Sequence, residues 1–356
     1  MSKSSPQSFE IDDTYKKILT IVQEKPSLSH SRVAKLIKMS QPAVGSRVGK
    51  LEDKNLLGTQ YGVNFASNRL CFAIVTMQVR NVADKLEELR KNPQVQQVFK
   101  VFGKYNMLVW VGGINEDEVS RIVKDSLAGD PDIPKLEIVF MGAALKDLAV
   151  PFPLPVKEEN ECPEYASLFS TLLNIDEDDK RIINYLQDET QITHTEIGRR
   201  IGKSQPAVGA RVKKLMKKNV LKLQRGPNFK TCNELELMQV RILTNNSKEL
   251  GEKIRACKVF STGFINDKMD TIITYVAGKT FEEIDSIIDH CIRADPAVET
   301  VETTPVLDTM YDLVFNYDFE HEYSEVHGCS ECMYYEICQL EEDVESLITG
   351  DKTIEV

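Results

Sequence analysis

The segment S-Q-P-A-V-G-x-R-V-x-K-L occurs twice in this chain, at Ser40–Leu51 and Ser204–Leu215, at an offset of 164 residues. Whatever the chain folds into must therefore contain that local unit twice. The match extends on either side at the same offset and without a gap. Ile11-Asp12 pairs with Ile175-Asp176, Ser29-His30 with Thr193-His194, and Asn64-Phe65 with Asn228-Phe229. About two thirds of the positions from Ser40 to Phe65 are identical to their partners, and divergence is greater after Phe65.

Each copy opens with three helical patterns. Asp12 and Asp176 precede apolar residues spaced by three and four: Tyr15, Ile18, Leu19 and Val22 in one copy, Ile182, Ile183 and Leu186 in the other. Ser29 and Thr193 stand where they cap a second helix, and Ser40 and Ser204 a third. Pro42 and Pro206 fall in that third helix's first turn, where a missing N–H costs nothing. Three such helices followed by a hairpin-like stretch (Gly58–Asn68; Leu223–Asn233) make the pattern of a winged helix-turn-helix, whose third helix enters the DNA major groove.

Within the third helix Val44, Val48 and Leu51, or Val208, Val212 and Leu215, face inward. The opposite face supplies the candidate DNA contacts: Gln41, Ser46, Arg47 and Lys50 in the first copy, and Gln205, Arg211, Lys213 and Lys214 in the second. Gln pairs with adenine and Arg with guanine, whereas Ser and Lys more often hold phosphates. The formal net charge of −11 argues against a DNA binder, but its distribution does not. Ser29–Lys54 carries six cations and two carboxylates, a local +4. Thr193–Lys218 carries eight and one, a local +7. Base is concentrated where a duplex would lie.

Three helices, the S-x-x-A-V-x-x-R-V-x-K-L run, a short wing and then a β-α-β-β-α-β segment resemble the Lrp/AsnC family of transcription regulators. The resemblance covers Ile11 to about Lys146 and Ile175 to about Tyr317. It implies an α+β fold of two tandem repeats, each a winged helix-turn-helix followed by a ferredoxin-like sheet, the RAM domain. The first sheet domain reads as strands Leu70–Val79, Val95–Val101, Met107–Gly112 and Lys135–Gly142, with helices Val82–Lys91 and Glu116–Leu127. The second reads as strands Leu235–Leu243, Val259–Phe264, Thr271–Val276 and Val298–Pro305, with helices Lys248–Ala256 and Phe281–Cys291. Expected units are helix-turn-helix domains at 9–66 and 171–232, sheet domains at 67–150 and 233–318, a linker at 151–170 and a tail at 319–356.

Members of this family bind small effectors, often amino acids, at a G-x-Y-D-type turn of the sheet domain. That implies effector contacts at Gly103, Tyr105 and Asn106, with Asn106 in place of the acid, and a second turn at Gly263-Phe264-Ile265-Asn266-Asp267. An ordinary hairpin turn accounts for the same residue types. The family also pairs through its sheets, so one chain is expected to be a pseudo-dimer by itself, with homo-oligomers through the RAM domains as a further expectation.

The chain has eight cysteines. Cys71, Cys232, Cys257 and Cys291 read as single packing residues. Cys329-x-x-Cys332-x5-Cys338 places three thiols within ten residues, and Cys162 lies in the Pro-rich connector between the copies. Four thiolates hold either Zn²⁺ or a [4Fe–4S] cluster. The C-x2-C-x5-C ending with one distant cysteine resembles the iron–sulfur staple of AddB-type nucleases. It implies a metal site of Cys162, Cys329, Cys332 and Cys338, with a [4Fe–4S] cluster as first expectation and zinc as second.

No run of eighteen apolar residues is present and the N-terminus lacks the apolar core of a signal peptide, so a cytoplasmic location is expected. The leading expectation is a non-enzymatic, sequence-specific transcription regulator with double-stranded DNA as partner, sensing redox or iron state through the cysteine centre. Two other classes are carried forward: an enzyme of the same fold, such as a sirohaem decarboxylase, and an architectural DNA-binding protein.

Overall fold

In the computed structural model, residues 11–319 are described apart from 66–69, 143, 147, 161, 258, 267–269 and 318. The chain begins with α1 (Asp13–Glu24), α2 (His30–Leu36), α3 (Gln41–Asp53) and β1 (Leu57–Asn64). The expected caps form: Asp12 accepts from the Tyr15 N–H at 2.8 Å, Ser29 from Arg32 at 3.4 Å and Ser40 from Ala43 at 3.3 Å. Ile18, Leu19, Val22, Val33, Val44, Val48 and Leu51 bury together beneath them.

Next come β2 (Cys71–Gln78), α4 (Val82–Leu89), β3 (Val95–Val101), β4 (Met107–Gly113), α5 (Glu116–Ser126) and β5 (Lys135–Met141). A two-residue strand, β6 (Ala149–Val150), and α6 (Pro163–Leu173) lead into α7 (Glu177–Asp188), α8 (His194–Ile201), α9 (Gln205–Lys217) and β7 (Leu221–Pro227). The order then recurs as β8 (Glu236–Thr244), α10 (Ser247–Ala256), β9 (Phe260–Asn266), β10 (Thr271–Gly278), α11 (Phe281–Ile288) and β11 (Val298–Thr309). A π-helical turn, Asp289–Arg293, prolongs α11. Apart from β6 and α6, each element starts 164 residues after its counterpart, or within one residue of that spacing.

Eight strands form one sheet in the order β5-β2-β4-β3-β11-β8-β10-β9, four neighbours from each half. The halves meet antiparallel, Val306 of β11 opposite Val101 of β3. At the outer edges the chain just beyond β5 pairs with β9. Gly142 N–H donates to the Ile265 carbonyl at 2.8 Å and Leu145 N–H to that of Gly263 at 2.7 Å. The sheet thus closes on itself by two equivalent joints. Because strand side chains alternate, Ala73, Val75 and Met77 of β2 pack outward with Val119, Ile122 and Val123 of α5. Phe72, Phe99, Trp110, Phe264 and Tyr275 turn inward and build one core common to both halves. Such a shared apolar interior binds the halves far more firmly than a surface contact.

Two expectations are corrected here. Among the described residues, Gly58–Asn68 and Leu223–Asn233 do not fold back as hairpins of their own: each supplies a single wing strand, and β1 pairs antiparallel with β7, from Leu57 opposite Pro227 to Val63 opposite Leu221. A lone strand leaves a row of unpaired N–H and C=O groups, and the equivalent strand of the other half satisfies them. Gln60 and Gln224, which correspond in the repeat, face each other at the centre of this ladder and mark a pseudo-two-fold axis. β6 adds on the other side of β1, where Gly62 is required because a Cβ would collide with the Val150 backbone. Second, the 151–170 linker is in part the helix α6. It packs on α7 through Phe169 and Leu173, and its Ala166 carbonyl accepts from the buried amine of Lys180 at 2.5 Å.

Candidate nucleic-acid interface

The turn between α2 and α3 needs a left-handed residue to reverse the chain, which Lys38 supplies at φ 56° in the first copy and Gly202 at φ 69° in the second. Asn55 and Asn219 take the same conformation just after α3 and α9. With Val44, Val48 and Leu51, or Val208, Val212 and Leu215, buried beneath, each third helix turns its other side outward. Gln41, Ser46 and Lys50 are exposed on α3, and Gln205, Lys213 and Lys214 on α9. Lys50, Lys213 and Lys214 form no ion pair with any described residue, so their charge is available to phosphate.

Arg47 and Arg211 are placed differently. Arg47 Nη1 lies 3.0 Å from Asp12 Oδ2, and its guanidinium sits 4.7 Å over the Tyr15 ring. Arg211 contacts Asp176 at 2.7 Å, Asp179 at 2.8 Å and Asp178 at 3.4 Å. Both tie the third helix to the start of the first, and their side chains are only 29% and 27% exposed. The Tyr15 N–H, and then Arg47, hold Asp12 below the usual carboxylate range. Further cations of the second head are paired as well: Arg199 with Glu196, Arg200 with Glu189 and Glu196, and Lys203 with Asp178. The outward charge of each head is therefore smaller than the local +4 and +7.

A link between the heads was not visible in the sequence. Arg225 of β7 reaches Glu52 of α3 at 2.7 Å, its side chain 12% exposed. The equivalent positions hold Tyr61 and Met216, so this ion pair exists on one side of the pseudo-axis. Only the 164-residue offset combined with the β1–β7 pairing reveals it.

In the β3–β4 turn, Gly103 takes φ 139°, a glycine conformation. The Asn106 side chain accepts from the Val79 N–H and donates to the Val79 carbonyl, both at 2.8 Å, imitating a strand pair. Tyr105 donates its hydroxyl to Glu137, which also meets Lys104 at 3.0 Å. Gly263–Asn266 is not the second turn but lies in β9; Asp270, at φ 47°, stands where Asn106 stands in the first half.

Cys162 is exposed at the N-cap of α6. Cys329, Cys332 and Cys338 lie outside the described residues. Among the described residues no three His, Cys, Asp or Glu side chains come together as a metal site, and no helix is long and apolar enough to cross a membrane. Burial pushes the Cys71 and Cys232 thiols up to about 11, in keeping with packing roles.

Residues 11–57 match the winged helix-turn-helix DNA-binding model and residues 175–216 the AsnC-type helix-turn-helix model. The chain carries AsnC-type and winged helix-turn-helix domains. It is similar to a helix-turn-helix-type transcriptional regulator of Pyrococcus horikoshii, 22% identical over 141 residues that cover 38% of this chain and 89% of the relative. The regulator LysM of Saccharolobus solfataricus is 26% identical over 118 residues, covering 32% of this chain and 82% of its own. A solved structure, the sirohaem decarboxylase NirDL with an iron-uroporphyrin III analogue, has the same fold over 94% of this chain and all of its own. Its TM-score is 0.52 and its identity 14%.

Proposed function

We propose that this chain is a duplicated Lrp/AsnC-type regulator that binds double-stranded DNA with two unequal reading heads. The observation that carries this reading is the presence of two capped helices, α3 and α9, related by the pseudo-axis at Gln60 and Gln224. Each turns outward a Gln and at least one Lys that no described carboxylate pairs. The halves that carry the two heads share a sheet core and are joined by the β1–β7 ladder, so the heads present to a duplex as one unit, as a two-fold dimer does to paired half-sites. Gln41 and Gln205 are suited to bases, and Ser46, Lys50, Lys213 and Lys214 to phosphates; Arg47 and Arg211 contact DNA only if they leave Asp12 and Asp176. Selection from random duplexes, followed by mobility shifts against bulk competitor, tests it. Enrichment of one two-part site supports the reading. Retention of all sequences alike points to an architectural protein, and no retention overturns both.

The regulatory input we assign to a four-thiol centre of Cys162, Cys329, Cys332 and Cys338, supported by their spacing and by the exposure of Cys162. Such a set suits a [4Fe–4S] cluster or zinc. Iron, sulfide and zinc contents with a visible spectrum, on protein purified without oxygen, decide between the two. Unchanged metal content and unchanged DNA affinity in Cys332→Ser would sink the assignment. The effector role of Gly103, Tyr105 and Asn106 is weaker, because both side chains already serve the turn. The likeness to NirDL favours one second reading, an iron-tetrapyrrole decarboxylase, and carboxyl loss from such a substrate in the purified protein would replace the regulator.

A further inference from the structure

Lys16 and Lys180 correspond in the repeat, as do Asp13 and Glu177 beside them. Their surroundings differ sharply. The Lys180 side chain is 0% exposed, its amine bonded to the Pro155 carbonyl at 3.0 Å, the Ala166 carbonyl at 2.5 Å and Glu177 at 2.9 Å. Lys16 is 37% exposed and reaches Asp13 at 3.5 Å. What buries Lys180 is the connector and α6. Ile175, just before α7, is likewise buried, whereas its counterpart Ile11 is half-buried.

Over α1 there is instead a cavity of about 320 Å³, lined by Ile11, Leu235, Tyr317 and Phe319 with the amines of Lys16 and Lys279 and the carboxylate of Glu234. Phe319 is the counterpart of Pro155, so the chain arrives at this cavity as the connector arrives at α7. From Glu320 onward the sequence holds eleven carboxylates and a single lysine. It also holds Ile337, Leu340 and Val344, the same three-and-four-residue spacing as Ala166, Phe169 and Leu173, the residues that α6 buries. The nineteen residues from Phe319 to Ile337 give more reach than the twelve from Pro155 to Ala166.

We propose that the C-terminal segment around Ile337–Val344 docks in this cavity as the second counterpart of α6, covering α1 and Lys16 of the first reading head. Its apolar stripe meets Ile11, Leu235, Tyr317 and Phe319, and its carboxylates meet Lys16 and Lys279. The inference does not depend on a metal or on DNA binding.

Zero-length carbodiimide coupling of the full chain, mapped by mass spectrometry, tests the contact. The expected product joins Lys16 or Lys279 to a carboxylate between Glu336 and Glu345 of the same molecule. Tail carboxylates joined only to other lysines, or only between molecules, overturn the proposal. Amide exchange provides the second arm. Helix α1 should exchange about tenfold faster in a chain ended after Glu320, and part-way to that rate in full-length Leu340→Asp, with α7 unchanged. Equal α1 exchange in all three proteins overturns it, whatever the coupling yields.

Discussion

Trp110 donates its indole N–H to the hydroxyl of Tyr275 at 2.8 Å, joining a strand of the first half to one of the second inside their common core. Gln239 donates to the same oxygen at 2.9 Å. Burial pushes the Tyr275 phenol far above its ordinary range, so it remains a neutral donor and acceptor. Tyr275→Phe leaves two buried N–H groups without an acceptor, at a cost of about 1–3 kcal/mol each. Thermal unfolding should shift down by several degrees, and an unchanged Tm would deny the bond any role in joining the halves.

Lys38 occupies a left-handed position at which the second copy has Gly202. Lys38→Gly should raise stability by about 0.5–1 kcal/mol, since glycine adopts that conformation without steric cost. Gly202→Lys should lower it by a similar amount. Urea midpoints measure both; loss of stability in Lys38→Gly would contradict the turn geometry.

A Cβ at Gly62 would stand 2.5 Å from both the amide nitrogen and the carbonyl oxygen of Val150. Backbone cannot yield as a side-chain tip does, so Gly62→Ala must push β6 away from β1. About 1–3 kcal/mol of destabilisation is expected, with amide exchange fastest at Val63 and Val150. Gly49, where an added Cβ would meet nothing within 4 Å, should accept alanine with little change and serves as the control.

Hydrogen bonds from Arg199 and then Arg200 hold Glu196 down to about 2. A depressed carboxylate contributes stability above its unfolded pKa and loses it as pH falls toward the folded value. Helix α8 should therefore loosen between about pH 4.5 and 2, seen as faster amide exchange corrected for intrinsic rates. In Glu196→Gln that contribution to the acid response should vanish.

The salt dependence of DNA affinity should separate the two heads. Each phosphate-bound lysine contributes about 0.9 to the slope of log K against log salt. Lys50→Ala should reduce the slope by about 1 and Lys213→Ala with Lys214→Ala by about 2. Identical slopes in all three proteins would place DNA elsewhere.

What the sequence made legible was local. Ser40 and Ser204 cap their helices because capping needs only a side-chain oxygen three residues before an N–H, and apolar spacing marks Val44, Val48 and Leu51 as inward. The order of strands in each half followed from alternating runs. Pairing of Leu57–Asn64 with Leu221–Pro227 was hidden, since period-two alternation names a strand but not its neighbour. The carboxylates that hold Arg47 and Arg211 were hidden for a related reason. Asp12 and Asp176 read as caps, and their second oxygen's partner depends on how α1 crosses α3 and α7 crosses α9.

Closure of the eight-stranded sheet sets how this molecule responds to dilution. Heads carried on two separate chains part company as their concentration drops, and occupancy of DNA then follows the square of abundance. Here Val101 meets Val306, and Gly142 meets Ile265, within one polypeptide. The pairing of heads is independent of concentration, so under the proposed function occupancy of a target by one molecule would scale in simple proportion to copy number, even when copies are few.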